Sequence, residues 1–397
     1  MISFKKARDI ISACAPFKKV KKVRLENAWN RVLAEDTPAA IDGPDFDKSV
    51  VDGFAVCGRD TLRAPVVLKI LEHIPAGKVP AKKIAKGTCS VIATGAMMPR
   101  GARAVVMKED CRIVDRGHVK ILKKIRPKEN VYKKAEDFKK GGLLLKKGSA
   151  LDMAKIALLA SQGLATVPVY EAPAVAILTT GDEVIEPGLK KEPGQIWNAT
   201  GAMLAHALAM MNIKPRYLGI AKDDPKVLLK KIREGLTYDC LIITGAVSMG
   251  ERDLVPQLLR KLKVLVVFHK VRIRPGKPFL FGRCGSRLIF GLPGNPVSSL
   301  VSFLLFVLPA IEKMSGKKAG PVFQKGILTN SVYNKTDRLS LFPGRIARKQ
   351  DHVSVKPISY SGSSDLLAVS KADCFFVLDR AQKKQKNSSV RFFELTS

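Results

Sequence analysis

The stretch Ala174–Val175–Ala176–Ile177–Leu178–Thr179–Thr180–Gly181–Asp182–Glu183–Val184 constrains this chain more than any other. It opens as a short run of small and β-branched apolar residues, the pattern of a strand buried on both faces. The run stops at Thr180–Gly181, and two carboxylates follow at once. Glycine there lets the backbone turn sharply or approach a ligand closely. Both acids then sit just beyond the carboxyl end of a buried strand, where open α/β sheets bind their ligands.

The same grammar recurs twice. Cys240–Leu241–Ile242–Ile243–Thr244–Gly245 is another apolar run ending in Thr-Gly, followed by Ala246, Val247, Ser248, Met249, Gly250, Glu251, Arg252 and Asp253. Arg287–Leu288–Ile289–Phe290–Gly291–Leu292 passes through Pro293–Gly294–Asn295–Pro296 into an apolar helix pattern. Ordinary βα loops also need glycine. Three such ends on one sheet, two with acids close by, point to a shared ligand crevice.

From 169 to 315 the periodicity alternates between strand and helix. It predicts strands 174–178, 216–220, 240–244, 264–268 and 287–290. Helices are expected at 199–211, 225–235, 253–262 and 297–313, giving a three-layer α/β domain. Upstream, residues 3–15 read as an amphipathic helix and 26–33 as a short helical piece. The loop before a strand at 53–57 carries Asp42, Asp45, Asp47 and Asp52, either as a polar turn or as a holder of a cation or reacting oxyanion. Short strands at 66–70, 87–92, 104–108 and 118–121 read as an all-β insert. Residues 151–163 return to helix, with Asp152 as N-cap and Gly163 as its stop. Beyond 319 strands dominate, at 322–329, 341–348, 352–355 and 374–379. There the segment Ser361–Gly362–Ser363–Ser364–Asp365–Leu366 is either a flexible turn or a backbone anion nest.

Charge narrows the ligand. Lys and Arg number 69 against 35 Asp and Glu, a net charge of +34, which favours anionic partners. The lysines lie in scattered clusters without a zinc-finger, RNP or helix-turn-helix pattern, and aromatics are only 6% of the residues, too few for base-stacking platforms. Specific nucleic-acid binding is therefore not expected. Seven widely spaced cysteines, with no C-x-x-C, fit reduced thiols in a cytoplasmic protein. Five isolated histidines argue against zinc or iron, so any metal here is a hard cation on carboxylates. The longest apolar stretch, Val297–Ile311, reads as a buried helix and not a membrane span.

Five motifs then occur in order: Pro44–Asp45–Phe46–Asp47–Lys48–Ser49–Val50–Val51–Asp52–Gly53–Phe54–Ala55; Thr180–Gly181–Asp182–Glu183; Val247–Ser248–Met249–Gly250–Glu251–Arg252–Asp253; Arg274–Pro275–Gly276–Lys277–Pro278; and Gly291–Leu292–Pro293–Gly294–Asn295–Pro296–Val297–Ser298. The set resembles the molybdopterin molybdenumtransferase family, the MoeA and gephyrin E-domain group, over nearly the whole chain, including Gly362–Ser363 and Ala372–Asp373.

The resemblance implies a multi-domain α/β plus β fold. Its parts would be a mixed linker and dimerisation domain (1–43 and 139–168), an all-β insert (44–138), a three-layer α/β molybdopterin-binding domain (169–318) and a small C-terminal β domain (319–397). It also implies a cytoplasmic homodimer with sites shared between two chains, and the molybdopterin adenylyltransferase as a partner. The reaction it implies is Mg²⁺-dependent cleavage of molybdopterin-adenylate to AMP with insertion of molybdate. A carrier or scaffold without turnover is the alternative.

By motif position, Asp52, Thr94, Asp137, Glu183 and Asp253 match catalytic residues, with Asp52, Glu183 and Asp253 as metal ligands. Thr180, Gly181, Asp182, Asp223, Gly245, Ser248, Gly250, Arg274, Lys277, Pro293, Gly294, Asn295 and Pro296 match the binding set. The chemistry suits anionic substrates: carboxylates hold a hard cation, Arg274 offers a planar fork and Lys277 a point charge. The turn at Gly291–Gly294 and the helix after it are expected to present N–H groups to phosphate. The chain departs from the family pattern at Ala246, at Asn198–Ala199–Thr200, at Tyr132 and Ala135, and at Arg274. The Ala246 methyl is expected to narrow backbone approach, and Asn198 to remove a charge.

Overall fold

The computed structural model describes residues 1–245, 254–348, 350 and 352–395. The chain divides into two compact units: Met1–Ala34 with Ala150–Met153 and Thr166–Ser397, and Glu35–Ser149 with Ala154–Ala165.

The first unit is centred on a six-stranded sheet. Its strands are β1 (Val175–Thr180), β2 (Arg216–Ala221), β3 (Cys240–Thr244), β4 (Leu265–His269), β5 (Leu280–Cys284) and β6 (Arg287–Leu292). Their order is β2-β1-β3-β6-β5-β4. The pairs β2–β1, β1–β3 and β3–β6 are parallel, and β5 runs antiparallel to both its neighbours. Every residue of β1 and β3 is buried, as their uninterrupted apolar sequences require.

Helix α1 (Ala199–Met210) carries the chain from β1 to β2, and α2 (Pro225–Gly235) returns it to β3 on the other side of β1. That reversal makes the carboxyl ends of β1 and β3 a topological switch point. Both helices start on side-chain caps: Asn198 Oδ1 accepts from Gly201 N at 2.8 Å, and Asp224 accepts from Lys226 N and Val227 N before Pro225 opens the first turn. Helix α3 (Leu254–Lys261) buries Val255, Leu258 and Leu259.

After β6 a helical run covers Pro296–Met314. It is α-helical over Pro296–Ser302, widens to π geometry over Phe303–Val307, and is α-helical again over Leu308–Met314. Pro309 has no N–H to donate and its ring crowds the carbonyl four residues back, which the wider turn relieves. By length and apolarity this run could cross a bilayer, yet 67% of it is buried within the protein. Phe303 and Phe306 pack in the core with Phe279, Phe281 and Phe290, and the Phe279 and Phe306 rings lie 4.6 Å apart.

The C-terminal strands Gln324–Leu328, Leu339–Arg348, Val353–Pro357, Cys374–Leu378 and Ser389–Glu394 form a sheet that closes on itself, because Cys374–Leu378 pairs with both Ser389–Glu394 and Leu339–Arg348. The two-residue strand Ile273–Arg274 joins its edge, in register with Leu339 and Ser340. The N-terminal helix covers Phe4–Cys14. The piece expected as helix at 26–33 is only a 3₁₀ turn at Leu25–Asn27; Val32 and Leu33 instead bridge to Ala150 and Val169, because both are fully buried and extended backbone serves them better.

The second unit is built on a six-stranded sheet in the order Ala104–Met107, Gly53–Val56, Thr88–Ile92, Val66–Ile74, His118–Ile121, Cys111–Asp115. Short ladders join Lys48–Ser49 to Val131–Tyr132 and Thr37–Pro38 to Leu143–Leu145. Its helix covers Met153–Ser161 and stops before Gly163, as expected.

Candidate functional site

In the first unit the three strand ends are stitched together. Thr180 Oγ1 donates to Thr244 O at 3.1 Å, and Gly245 N donates to Leu292 O at 3.1 Å. Gly245 has φ +84°, and a Cβ there would lie 2.6 Å from Thr180 O, so only glycine fits. Gly181 also has a positive φ, and Glu183 folds back over it on an exposed turn. Asp182 Oδ1 accepts from Asp223 N at 3.1 Å, tying this turn to the loop after β2. The three repeated patterns thus end side by side on adjacent parallel strands. Ala246, Ser248, Gly250 and Asp253 lie outside the described residues.

The altered turn at Asn198–Thr200 is internal. Asn198 is buried, and its Nδ2 donates to Tyr217 OH at 2.7 Å and Thr179 Oγ1 at 3.2 Å. Its amide is fully engaged in starting α1 and fixing the end of β1.

Next to Pro293, a cavity of about 660 Å³ opens between the Arg274–Pro278 loop, the start of the long helical run and the 360–365 segment. Three cations line it: Arg274, Lys277 and Arg338. Arg274 is placed by its pairing with Ser340, two residues beyond Arg338. The one acid in the lining, Asp365, is already engaged: Oδ2 accepts from Ser361 N at 2.9 Å and Ser361 Oγ at 2.8 Å, and Oδ1 from Ala368 N at 3.0 Å. The Ser361 backbone bond foremost, helped by the others, holds its carboxyl below the usual value. Asp365 therefore shapes the serine loop, and the cavity stays strongly positive. Tyr360 OH, and Ser302 Oγ under Gly276, are buried with no hydrogen-bond partner among the described residues.

Asn295 holds that loop in place. Its Nδ2 donates to Ser363 Oγ at 2.9 Å, and Ser364 Oγ donates to its Oδ1 at 3.3 Å. Val297 N donates to Ser363 O at 3.1 Å. Of the first helical amides expected to face phosphate, two are not on offer: Pro296 has no N–H, and that of Val297 is taken by the loop. Three cations and the serine loop line the cavity beside them. Arg338 carried no motif, and the signal that finds it is its place before the strand that receives Arg274.

The second unit holds the remaining acids. Asp52 Oδ1 accepts from Thr94 N at 2.8 Å and Thr94 Oγ1 at 3.0 Å, while Oδ2 lies 4.0 Å from Lys108 Nζ. The Thr94 backbone bond is the main reason its carboxyl titrates below the usual range. Two other acids of this loop are matched by lysines: Asp47 to Lys133 at 2.7 Å and Asp42 to Lys134 at 3.3 Å. They hold the turn, while Asp52 lines a pocket. Asp137 accepts from Tyr132 OH at 2.5 Å, a bond that raises the Tyr132 pKa. Ala135 has φ +59°, a left-handed conformation that disfavours any side chain. Among the described residues no three His, Cys, Asp or Glu side chains cluster to hold a metal.

Residues 2–163 match the MoeA N-terminal region (domain I and II), 176–313 the probable molybdopterin binding domain, and 325–392 the MoeA C-terminal region (domain IV). A molybdopterin molybdenumtransferase of Haemophilus influenzae is 33% identical over 385 residues, covering 96% of this chain and 95% of that one. A molybdopterin molybdenumtransferase of Bacillus subtilis is 33% identical, covering 90% and 85%. Among solved structures, a molybdopterin biosynthesis MoeA protein from Pyrococcus horikoshii superposes with a TM-score of 0.81 at 31% identity, covering 100% of both chains.

Proposed function

Since the chain belongs to the molybdopterin molybdenumtransferase family, whose members are transferases of molybdenum cofactor biosynthesis, we propose that it takes molybdopterin-adenylate and molybdate, cleaves the adenylate to AMP and inserts the metal into the pterin. The observation that carries this reading is the cavity with Arg274, Lys277 and Arg338 on its wall and its single carboxylate engaged elsewhere. Such a cavity suits a tetrahedral oxyanion: Arg274 and Arg338 offer paired N–H donors, Lys277 a compact charge, and Ser298 and Ser363 neutral donors, the hydroxyls of Ser361 and Ser364 being spent on Asp365 and Asn295. The pterin is held at the strand ends by Thr180–Gly181–Asp182, Asp223, Gly245 and the Pro293–Pro296 turn, with Ser248 and Gly250 joining the set by motif position alone. Asn295 acts there by holding the serine loop.

Breaking the phosphoanhydride needs negative charge neutralised at the phosphoryl oxygens. Mg²⁺ would be held by Asp52, Glu183 or Asp253 with substrate phosphate oxygens, since this cation takes one or two carboxylates and needs no all-protein cage. Bound there it supplies that neutralisation. Thr94 fixes the Asp52 carboxylate in its ionised form, and Asp137, oriented by Tyr132, contributes a second acid from the same unit.

The protein works as a cytoplasmic homodimer of four-part chains and receives its substrate from the molybdopterin adenylyltransferase. All seven cysteines are free, which fits a reducing compartment. The test is to incubate purified protein with molybdopterin-adenylate, Mg²⁺ and molybdate and follow AMP. Release that needs both ions is expected. Tight substrate binding without release would make the protein a carrier.

A further inference from the structure

Between Gly181 and Asn198 the chain leaves β1, turns through Asp182 and Glu183, and returns to open α1. A two-residue parallel ladder within this segment pairs Val184 with Ile196 and Ile185 with Trp197. Its backbone bonds run from Ile196 N to Glu183 O and from Asn198 N to Ile185 O, each at 2.8 Å. A two-stranded ladder this short is marginal by itself. Side chains close it from outside. Tyr217, the second residue of β2 and 36% exposed, donates its OH to Glu186 Oε1 at 2.6 Å and accepts from Asn198 Nδ2 at 2.7 Å. The same Nδ2 donates to Thr179 Oγ1 at 3.2 Å, inside the sheet. Glu186 is thus joined to the buried end of β1 through a phenol and an amide, with the bonds running in one direction, from amide to carboxylate. Desolvation, then the bond to Glu186, push the Tyr217 pKa up, so the phenol keeps the proton it donates.

We propose that Tyr217 is a positioning residue: by clamping Glu186 to Asn198 it fixes the 181–197 segment, and with it Asp182 and Glu183, at the carboxyl end of β1. It rests on the reading above for the work Glu183 does. The clamp also explains why an amide stands at 198. A phenol has one proton to give. Tyr217 gives it to Glu186 and accepts from Asn198 behind it, which a carboxylate at 198 could not supply. With an acid at 198, two carboxylates would compete for that one proton from either side of the phenol. The buried one would take it, because an uncompensated charge costs more inside the protein than at the half-exposed Glu186. Glu186 would then be released, and the segment bearing Glu183 would be left to its two-residue ladder.

The test is hydrogen–deuterium exchange of the full-length protein, read by mass spectrometry of peptides covering 183–198, with AMP release measured on the same preparations. Tyr217→Phe keeps the ring and removes the proton. Exchange at 183–198 should quicken by about tenfold or more, the scale of a lost hydrogen bond to a charged group. AMP release should fall by about tenfold on the same scale, while KM for molybdate holds, because the cationic cavity is built from other segments. Asn198→Asp keeps the cap of α1, since aspartate caps as well as asparagine, yet should loosen the same peptides. Adding Glu186→Gln to Asn198→Asp should restore protection: the new amide donates to the Tyr217 oxygen, the phenol turns its proton to the new carboxylate, and the bonds run the other way. The proposal is overturned if Tyr217→Phe leaves exchange at 183–198 or AMP release unchanged, or if the double substitution stays as loose as Asn198→Asp alone. Exchange that quickens equally across the whole sheet would also overturn it, as a loss of stability and not of position. Exchange needs no substrate, so it judges the clamp even where the AMP-release test of the proposed reaction fails.

Discussion

The two cavities are opposites in construction. The one beside Pro293 is polar, lined by three cations and four serines from the α/β sheet's turns and the C-terminal barrel. The one beside Asp52 is apolar, with one carboxylate and one lysine at its end. In the first, a neutral amide and an already engaged aspartate fix the walls, so the cations stay uncompensated. In the second, a threonine fixes the one acid and the walls are plain sheet. The difference teaches that the chain offers two chemically distinct cavities: one with excess positive charge, the other mostly apolar with an acid and a lysine at one end.

The largest effects should come from removing the charges that distinguish the two. Arg274→Ala and Lys277→Ala should each lower molybdate-dependent AMP release by about 100-fold or more, the scale of losing one fixed donor to a developing charge. AMP release at the unaltered rate in either variant would take that residue out of the reaction. Asp52→Asn should likewise remove turnover by about 100-fold or more while the fold survives, since the side chain is 55% exposed and few core contacts are lost. Turnover near that of the unaltered protein would take Asp52 out of the reaction.

Asn295→Ala should have an intermediate effect. It deletes two hydrogen bonds to the serine loop, at about 1 kcal/mol each. We expect about tenfold weaker molybdate binding and a fall of about 1–2 kcal/mol in unfolding free energy by chemical denaturation. Unchanged molybdate affinity would show that the loop does not shape the cavity.

Acid should act on the same loop. Asp365 has its carboxyl lowered in the folded protein, so it favours the folded loop above the usual aspartate value of 3.8, and that contribution is lost as pH falls through the lower folded value. Molybdate binding, measured against pH at constant ionic strength, should therefore hold through neutral and mildly acid solution and fail only below about pH 4. Asp365→Asn should bring in the loss at every pH. A loss centred near neutrality would assign the control to another group. The smallest effect is expected at Ala135, where glycine would relieve a left-handed alanine. Ala135→Gly should raise stability by about 0.5–1 kcal/mol, read as a higher denaturation midpoint.

The fold was legible wherever one segment carries its own signal. The runs ending at Thr180, Thr244 and Leu292 are uninterrupted and apolar, and the structure sets them side by side. Helix α2 matches its expected bounds, because Asp224 and Pro225 mark its start and its apolar face is regular. Strands β5, Cys111–Asp115 and Ser389–Glu394 were not legible. The first is interrupted by Gly282 and the second is largely exposed, so neither shows a buried pattern; the third depends on a sheet whose closure is long-range. The site divides the same way. Arg274 and Lys277 stand in a motif, but Arg338 has no local mark, and the roles of Asn295 and Asp365 as holders of the loop depend on partners far away in sequence or on a turn whose conformation the residues alone left open.

The account stands on metal insertion coupled to loss of the adenylate. Its most direct test is a single-turnover experiment with stoichiometric protein, molybdopterin-adenylate, Mg²⁺ and molybdate, in which AMP is quantified by chromatography and pterin-bound molybdenum by elemental analysis of the same samples. The account predicts that one molybdenum enters the pterin for each AMP released, and that neither appears without molybdate. AMP released at the full rate with no molybdenum in the pterin would contradict it.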